Sequence, residues 1–114
     1  MSDCVFCRIA ARQLPADIVA EDADTLAFKD LNPQAPTHVL IIPKTHIASV
    51  SALTDSTAPL LTKTVTLANR LAQQYGIADT GYRLVVNCGP QAGQSVAHVH
   101  VHLLGGRPMR WPPG

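Results

Sequence analysis

The chain has 114 residues, 46% of them hydrophobic and 15% charged, which is enough apolar material for one core and too little length for two. A single domain over residues 1–114 is therefore expected. A formal net charge of +1 with no Lys/Arg run argues against a nucleic-acid partner, which demands a clustered basic surface. No apolar run approaches the roughly 20 residues that span a bilayer. Met1-Ser2-Asp3-Cys4 also lacks the basic start and apolar centre of a secretory signal, so a cytoplasmic protein with no membrane partner is expected.

Cys4-Val5-Phe6-Cys7-Arg8-Ile9-Ala10-Ala11-Arg12 predicts a short helix with Asp3 as N-cap, stopped by Leu14-Pro15. Ile18-Val19-Ala20-Glu21 and Thr25-Leu26-Ala27-Phe28-Lys29, split by Asp22-Ala23-Asp24, have the pattern of a hairpin with a polar turn. The second run leads into Asp30. Two prolines in Leu31-Asn32-Pro33-Gln34-Ala35-Pro36 predict a stiff loop. His38-Val39-Leu40-Ile41-Ile42-Pro43 is almost continuously aliphatic, as in a central strand buried on both faces, and Lys44-Thr45-His46 follows it.

From the capping cluster Asp55-Ser56-Thr57, with Pro59 in the first turn, the apolar residues Leu61, Val65, Ala68, Leu71 and Tyr75 recur at helical spacing until Gly76. Tyr82-Arg83-Leu84-Val85-Val86-Asn87 reads as a strand. Cys88-Gly89-Pro90-Gln91-Ala92-Gly93-Gln94-Ser95 reads as a polar loop. In Ala97-His98-Val99-His100-Val101-His102-Leu103-Leu104, strict alternation predicts a last strand. It puts His98, His100 and His102 on one face and Val99, Val101 and Leu103 on the other. No strand-helix-strand rhythm repeats, so the fold class is α+β, built on an antiparallel sheet. The tail from Arg107 to Gly114, with its lone Trp111, is too proline-rich for a helix.

Two groups of residues carry chemistry. Cys4 and Cys7 stand at the C-x-x-C spacing that lets two thiolates reach one tetrahedral zinc, with His46 and His98 as candidates to complete the set. A redox pair and two buried thiols are the other readings, although a thioredoxin-like pair follows a strand and none precedes Cys4. His100 and His102 face the glycine-bearing loop that ends in Gly93-Gln94-Ser95. Its backbone N–H groups and the Ser95 hydroxyl suit a phosphate beside His100. A neutral imidazole, with an ordinary pKa near 6.5, can attack phosphorus without first losing a proton. The carbonyl of His98 is the nearest acceptor for its other nitrogen. Two rivals are a three-histidine catalytic zinc site and a nucleotide-binding module without turnover. Three alternate positions on one strand converge poorly on one ion, and replacing His100 separates turnover from binding.

These residues resemble the histidine-triad (HIT) superfamily, specifically its Hint branch of histidine-triad nucleotide-binding proteins. His98-Val99-His100-Val101-His102-Leu103-Leu104 fits the superfamily pattern, and Gly105-Gly106-Arg107 with Trp111-Pro112-Pro113-Gly114 looks like the Hint ending. Leu31 to His38 and Ile42 to His46 are similar to the family's upstream segments. The resemblance implies an antiparallel five-stranded sheet with two helices, extended across a homodimer. It implies hydrolysis of purine nucleoside phosphoramidates, or nucleotidyl transfer, through a covalent nucleotidyl-histidine on His100.

In that resemblance His102 contacts the phosphate and leaving group, His38 supports the histidine network, and Ser95 donates to the leaving group. Asn87 and the Gly93 backbone surround the phosphate, Asp30 accepts the ribose hydroxyls, and Val5, Phe6, Ile9, Phe28 and Leu31 form the slot for the base. Trp111 crosses to the partner's site. A structural zinc on Cys4, Cys7, His46 and His98 is implied, which removes His98 from acid–base work, and no organic cofactor.

Overall fold

The computed structural model describes residues 3–114. In chain order it contains helix α1 (Val5–Ala10), strands β1 (Ile18–Glu21), β2 (Thr25–Lys29) and β3 (Thr37–Pro43), a 3-10 turn (Val50–Ala52) and helix α2 (Ala58–Gln74). Strand β4 (Tyr82–Val85), a second 3-10 turn (Pro90–Ala92) and strand β5 (Val101–Gly105) complete it. The strands form one sheet in the order β1-β2-β3-β5-β4, every neighbour antiparallel. The α+β expectation is met. Among the described residues no helix is long and apolar enough to cross a membrane.

The β1–β2 hairpin closes where expected because Asp22 Oδ1 accepts the backbone N–H groups of Asp24 (2.9 Å) and Thr25 (2.8 Å), a side chain standing in for the turn's own bonds. Strand β3 is aliphatic from Val39 to Ile42 because both of its faces are covered there. Val39 and Ile41 pack with Leu67, Ala68, Leu71 and Ala72 of α2, whereas Leu40 and Ile42 pack with Phe6 and Ile9 of α1 and with Leu26 and Phe28. Helix α2 therefore holds one face of the sheet, and α1 covers part of the other, leaving a cleft beside it.

Three boundaries differ from the sequence reading, each for a local reason. Helix α1 is capped by Cys4 rather than Asp3, its sulfur accepting the Cys7 N–H at 3.4 Å. It ends at Ala10 because Arg12 takes a left-handed φ of 62°, and Gln13 N–H reaches back to the Arg8 carbonyl at 2.8 Å. Helix α2 is capped at Thr57, inside the expected cluster, but the Thr57 hydroxyl accepts the Thr54 N–H at 2.9 Å and so stabilises the preceding turn. Strand β4 stops at Val85, the last residue with a partner on β5, His102.

The largest correction concerns the last strand. Ladder pairing starts at Val101 and not at Ala97. The N–H of His98 bonds the Val96 carbonyl at 2.8 Å, and that of Val99 bonds the Ile47 carbonyl at 2.7 Å, so the approach to β5 is tied to the segment after His46 rather than to a neighbouring strand. The alternation nevertheless sorts the side chains as expected, with Val99, Val101 and Leu103 all buried.

Candidate functional site

The three histidines of the motif divide between two environments. His98 is fully buried and turns its Nδ1 toward the cysteines, 3.4 Å from Cys4 Sγ and 3.5 Å from Cys7 Sγ. His100 places Nδ1 2.8 Å from the His98 carbonyl oxygen. A carbonyl only accepts, so Nδ1 carries the hydrogen and Nε2 of the neutral ring carries the lone pair. His102 places Nδ1 2.9 Å from His38 Nε2, whose other neighbour is Asp30 Oδ2 at 3.4 Å. The rings of His100 and His102 stand 5.0 Å apart.

Phe6 ties these groups together. Its ring meets His100 edge-on at 5.1 Å, His98 at 5.9 Å and Phe28 at 5.4 Å. Beside it lies a cleft of about 240 Å³ lined by Val5, Phe6, Ile9, Phe28, Leu31, Asp30 and Ser95, all singled out in the sequence. Pro15, Ala16, Lys29, Leu40 and Val96 also line it and escaped that reading. Leu40 was findable, since it shares strand parity with His38; Pro15 and Ala16 belong to a loop with no periodic signal. Leu31 is 98% exposed and so forms a rim.

Three other expected residues stand apart. Asn87 is half-buried just past β4 and does not line the cleft. The Gly93 N–H bonds the Pro90 carbonyl at 3.1 Å within the second 3-10 turn, so Gly93 is held in the loop's own structure. Trp111 is 81% exposed and does not line the cleft of its own chain.

Burial governs the electrostatics of the site. It pushes His102 down to about 4, with the neighbouring His100 and His38 adding to the effect and Asp30 opposing it. It also holds His38 below the usual imidazole value, against the pull of the Asp30 carboxylate.

Cys4, Cys7, His46 and His98 offer four donor atoms within 4.8 Å of one another. A tetrahedral zinc with ordinary bond lengths would put sulfur and nitrogen about 3.6 Å apart and two nitrogens about 3.3 Å apart. The separations are 3.4 Å and 3.5 Å for the His98 pairs with sulfur, 3.3 Å for Cys7 with His46, and 3.3 Å for His46 Nδ1 with His98 Nδ1. His98 Nε2 lies 2.8 Å from the Pro43 carbonyl, which fixes the hydrogen on Nε2 and frees Nδ1 as a ligand. The residues fit the metal. The three-histidine zinc reading does not, because His98 faces away from the other two.

Residues 11–109 match the HIT domain family. A 14 kDa zinc-binding protein of Zea mays is 46% identical over 115 residues, covering 99% of this chain and 89% of that one. A HIT family hydrolase from Legionella pneumophila superimposes with a TM-score of 0.96 at 52% identity, over 98% of this chain and 100% of the other. A histidine triad nucleotide-binding protein from Candida albicans superimposes at 0.81 with 32% identity, over 96% of this chain and 83% of that one. The chain belongs to the HIT family, and its sheet with two helices is the HIT fold.

The depressed His102 value has a definite sign. Between its folded value of about 4 and the ordinary 6.5, the unfolded chain binds the proton more readily, so this group's contribution to stability is full above 6.5 and falls as pH drops toward 4. NMR titration of the His102 ring should give a midpoint near 4, and His102→Gln should lose stability less steeply than the parent between pH 6.5 and 4. A midpoint near 6.5 contradicts this description of the site.

Proposed function

We propose that this protein is a hydrolase of purine nucleoside 5′-phosphoramidates or related acyl phosphates, of the Hint branch, acting through a nucleotidyl-histidine on His100. The observation that carries the reading is the His100 ring, whose Nδ1–H is held by the His98 carbonyl so that the neutral ring presents a lone pair at Nε2. It stands edge-on to Phe6, which lines the apolar cleft together with Asp30 and Ser95. The Legionella hydrolase and the Candida nucleotide-binding protein support hydrolysis and a nucleotide ligand respectively.

In this mechanism the base enters the slot of Val5, Phe6, Ile9, Phe28 and Leu31, and the two oxygens of Asp30 accept the ribose hydroxyls. Nε2 of His100 attacks phosphorus as the P–N bond breaks. The leaving nitrogen takes a proton from solvent, relayed through the Ser95 hydroxyl, and departs as the amine. His102 lies against the phosphate and leaving group, with His38 behind it and Asn87 on the phosphate's other side. Water then attacks phosphorus and gives a proton to solvent, the P–N bond to His100 breaks to restore the neutral ring, and the nucleoside monophosphate is released. The test is incubation with adenosine phosphoramidate, an acid-free quench and mass spectrometry. A nucleotidyl adduct on His100 is expected, and His100→Ala should lose at least ~100-fold in turnover while still binding the nucleotide. Turnover that survives the substitution rejects the mechanism.

The metal cluster is proposed to hold a structural zinc, supported by the donor spacing and by the maize relative. When bound, it would fix Cys4 and Cys7 of α1 to His46 and His98, and so hold Phe6 in place. Elemental analysis of chelator-free protein should find about one zinc per chain, and its removal should lower the thermal midpoint. Zinc below about a tenth of an equivalent contradicts the assignment.

A homodimer is proposed as well, with Trp111 reaching the partner's cleft. It is supported by the 81% exposure of that side chain and by β4, which lies at the sheet edge with an open side. Sedimentation should give twice the 12.2 kDa of one chain. A species of single-chain mass at micromolar concentration overturns it.

A further inference from the structure

His102 and His38 share one hydrogen across 2.9 Å, and which ring owns it decides what His102 can offer a ligand. The answer comes from outside the cleft. The backbone N–H of Gln34 points at His38 Nδ1 from 3.0 Å. A peptide N–H can only donate, so His38 Nδ1 holds a lone pair and the neutral ring carries its hydrogen on Nε2. That hydrogen faces two acceptors, His102 Nδ1 at 2.9 Å and the Asp30 carboxylate at 3.4 Å. His102 Nδ1 is then an acceptor, and the neutral His102 must carry its hydrogen on Nε2.

The Gln34 amide is itself held. Arg107 Nε donates to the Gln34 carbonyl at 3.0 Å, and Gln34 Nε2 donates to the Asn32 carbonyl at 3.0 Å. Asn32 N–H in turn donates to Asp30 Oδ1 at 2.8 Å. Arg107 reaches this loop because Gly106 lies against Pro36. A Cβ there would stand 2.9 Å from the proline ring, and the backbone has a φ of +90°, so a glycine is needed on both counts. His100, by contrast, is fixed the other way round, with its hydrogen on Nδ1.

We propose that Gln34 and Arg107, which do not line the cleft, are positioning residues that set His102 as its Nε2–H tautomer through His38. The site then presents two imidazoles with opposite faces, His100 offering a lone pair and His102 an N–H donor. One attacks phosphorus and the other hydrogen-bonds an oxygen of the phosphate or the leaving group. The catalytic half of this inference rests on the phosphoramidate reading; the tautomer half does not.

The test is long-range ¹H–¹⁵N correlation on ligand-free protein labelled with ¹⁵N-histidine, with signals assigned by single His→Gln variants. The expected spectrum has His38 and His102 protonated on Nε2 and His100 on Nδ1. In Arg107→Met, which keeps most of the aliphatic stem, the loop loses its clamp and His102 should become a mixture of tautomers. In that variant kcat toward adenosine phosphoramidate should fall roughly tenfold with KM within about twofold, the pattern of a hydrogen bond lost mainly in the transition state. Arg107→Lys, which can still donate to the Gln34 carbonyl, should recover much of both.

A parent spectrum with His102 protonated on Nδ1 overturns the inference, whatever the variants do. So does an Arg107→Met protein whose tautomers match the parent. If the parent fails to turn over the phosphoramidate, the functional reading falls while the spectra still decide the relay.

Discussion

The antiparallel pairing of β5 with β3 is the contact on which the site depends. It sets Leu40 opposite His102 and His38 opposite Leu104, so His38 and His102 are diagonal neighbours on one face of the sheet. Their nitrogens meet at 2.9 Å as a result. A slip of one residue would turn His102 into the α2-side core and bring Leu103 to the face of His38. The core prevents that slip, because Leu103, Val39 and Ile41 are buried together under α2. Packing on one face of the sheet thus enforces chemistry on the other.

The second constraint is the short helix α1. Six residues form too little helix to persist alone, so α1 needs tertiary anchors. Two lie on its buried side, Phe6 and Ile9 against Leu26, Phe28, Leu40 and Ile42. The rest come from Cys4 and Cys7, which gather with His46 and His98. Phe6 sits between the two cysteines in sequence and touches both His98 and His100 in space. The metal cluster and the cleft are consequently one mechanical unit: what holds the cysteines also holds the wall against which His100 rests.

The sequence was most legible where periodicity and chemistry coincided. The limits of β1 and β2 could be read because a polar Asp turn separates two β-prone runs, and β3 because a strand covered on both sides has no polar face. The cysteine pair was legible by spacing, and His46 and His98 completed it only as candidates until the fold brought residues 94 positions apart to 3.4 Å. The start of β5 differs because alternation sorts side chains to two faces but does not report a hydrogen-bonded strand partner, which residues 98–100 lack, His98 lying in a bend closed on the Val96 carbonyl. The loop around Gly93 looked like a set of open amides, whereas a 3-10 turn uses that N–H internally. Gln34 was invisible for a different reason. It acts through its backbone, and no side-chain pattern can announce a peptide N–H.

The central claim is that the free lone pair of His100 is aimed at a phosphorus atom while Asp30, in the cleft beside Phe6, holds the ribose. A crystal structure of the protein with adenosine 5′-monophosphate tests it most directly. The account predicts phosphorus within roughly 3–3.5 Å of His100 Nε2, the distance of a near-attack arrangement, with both ribose hydroxyls on Asp30. A phosphate bound away from that ring, or a His100 Nε2 ligated to metal, would contradict it.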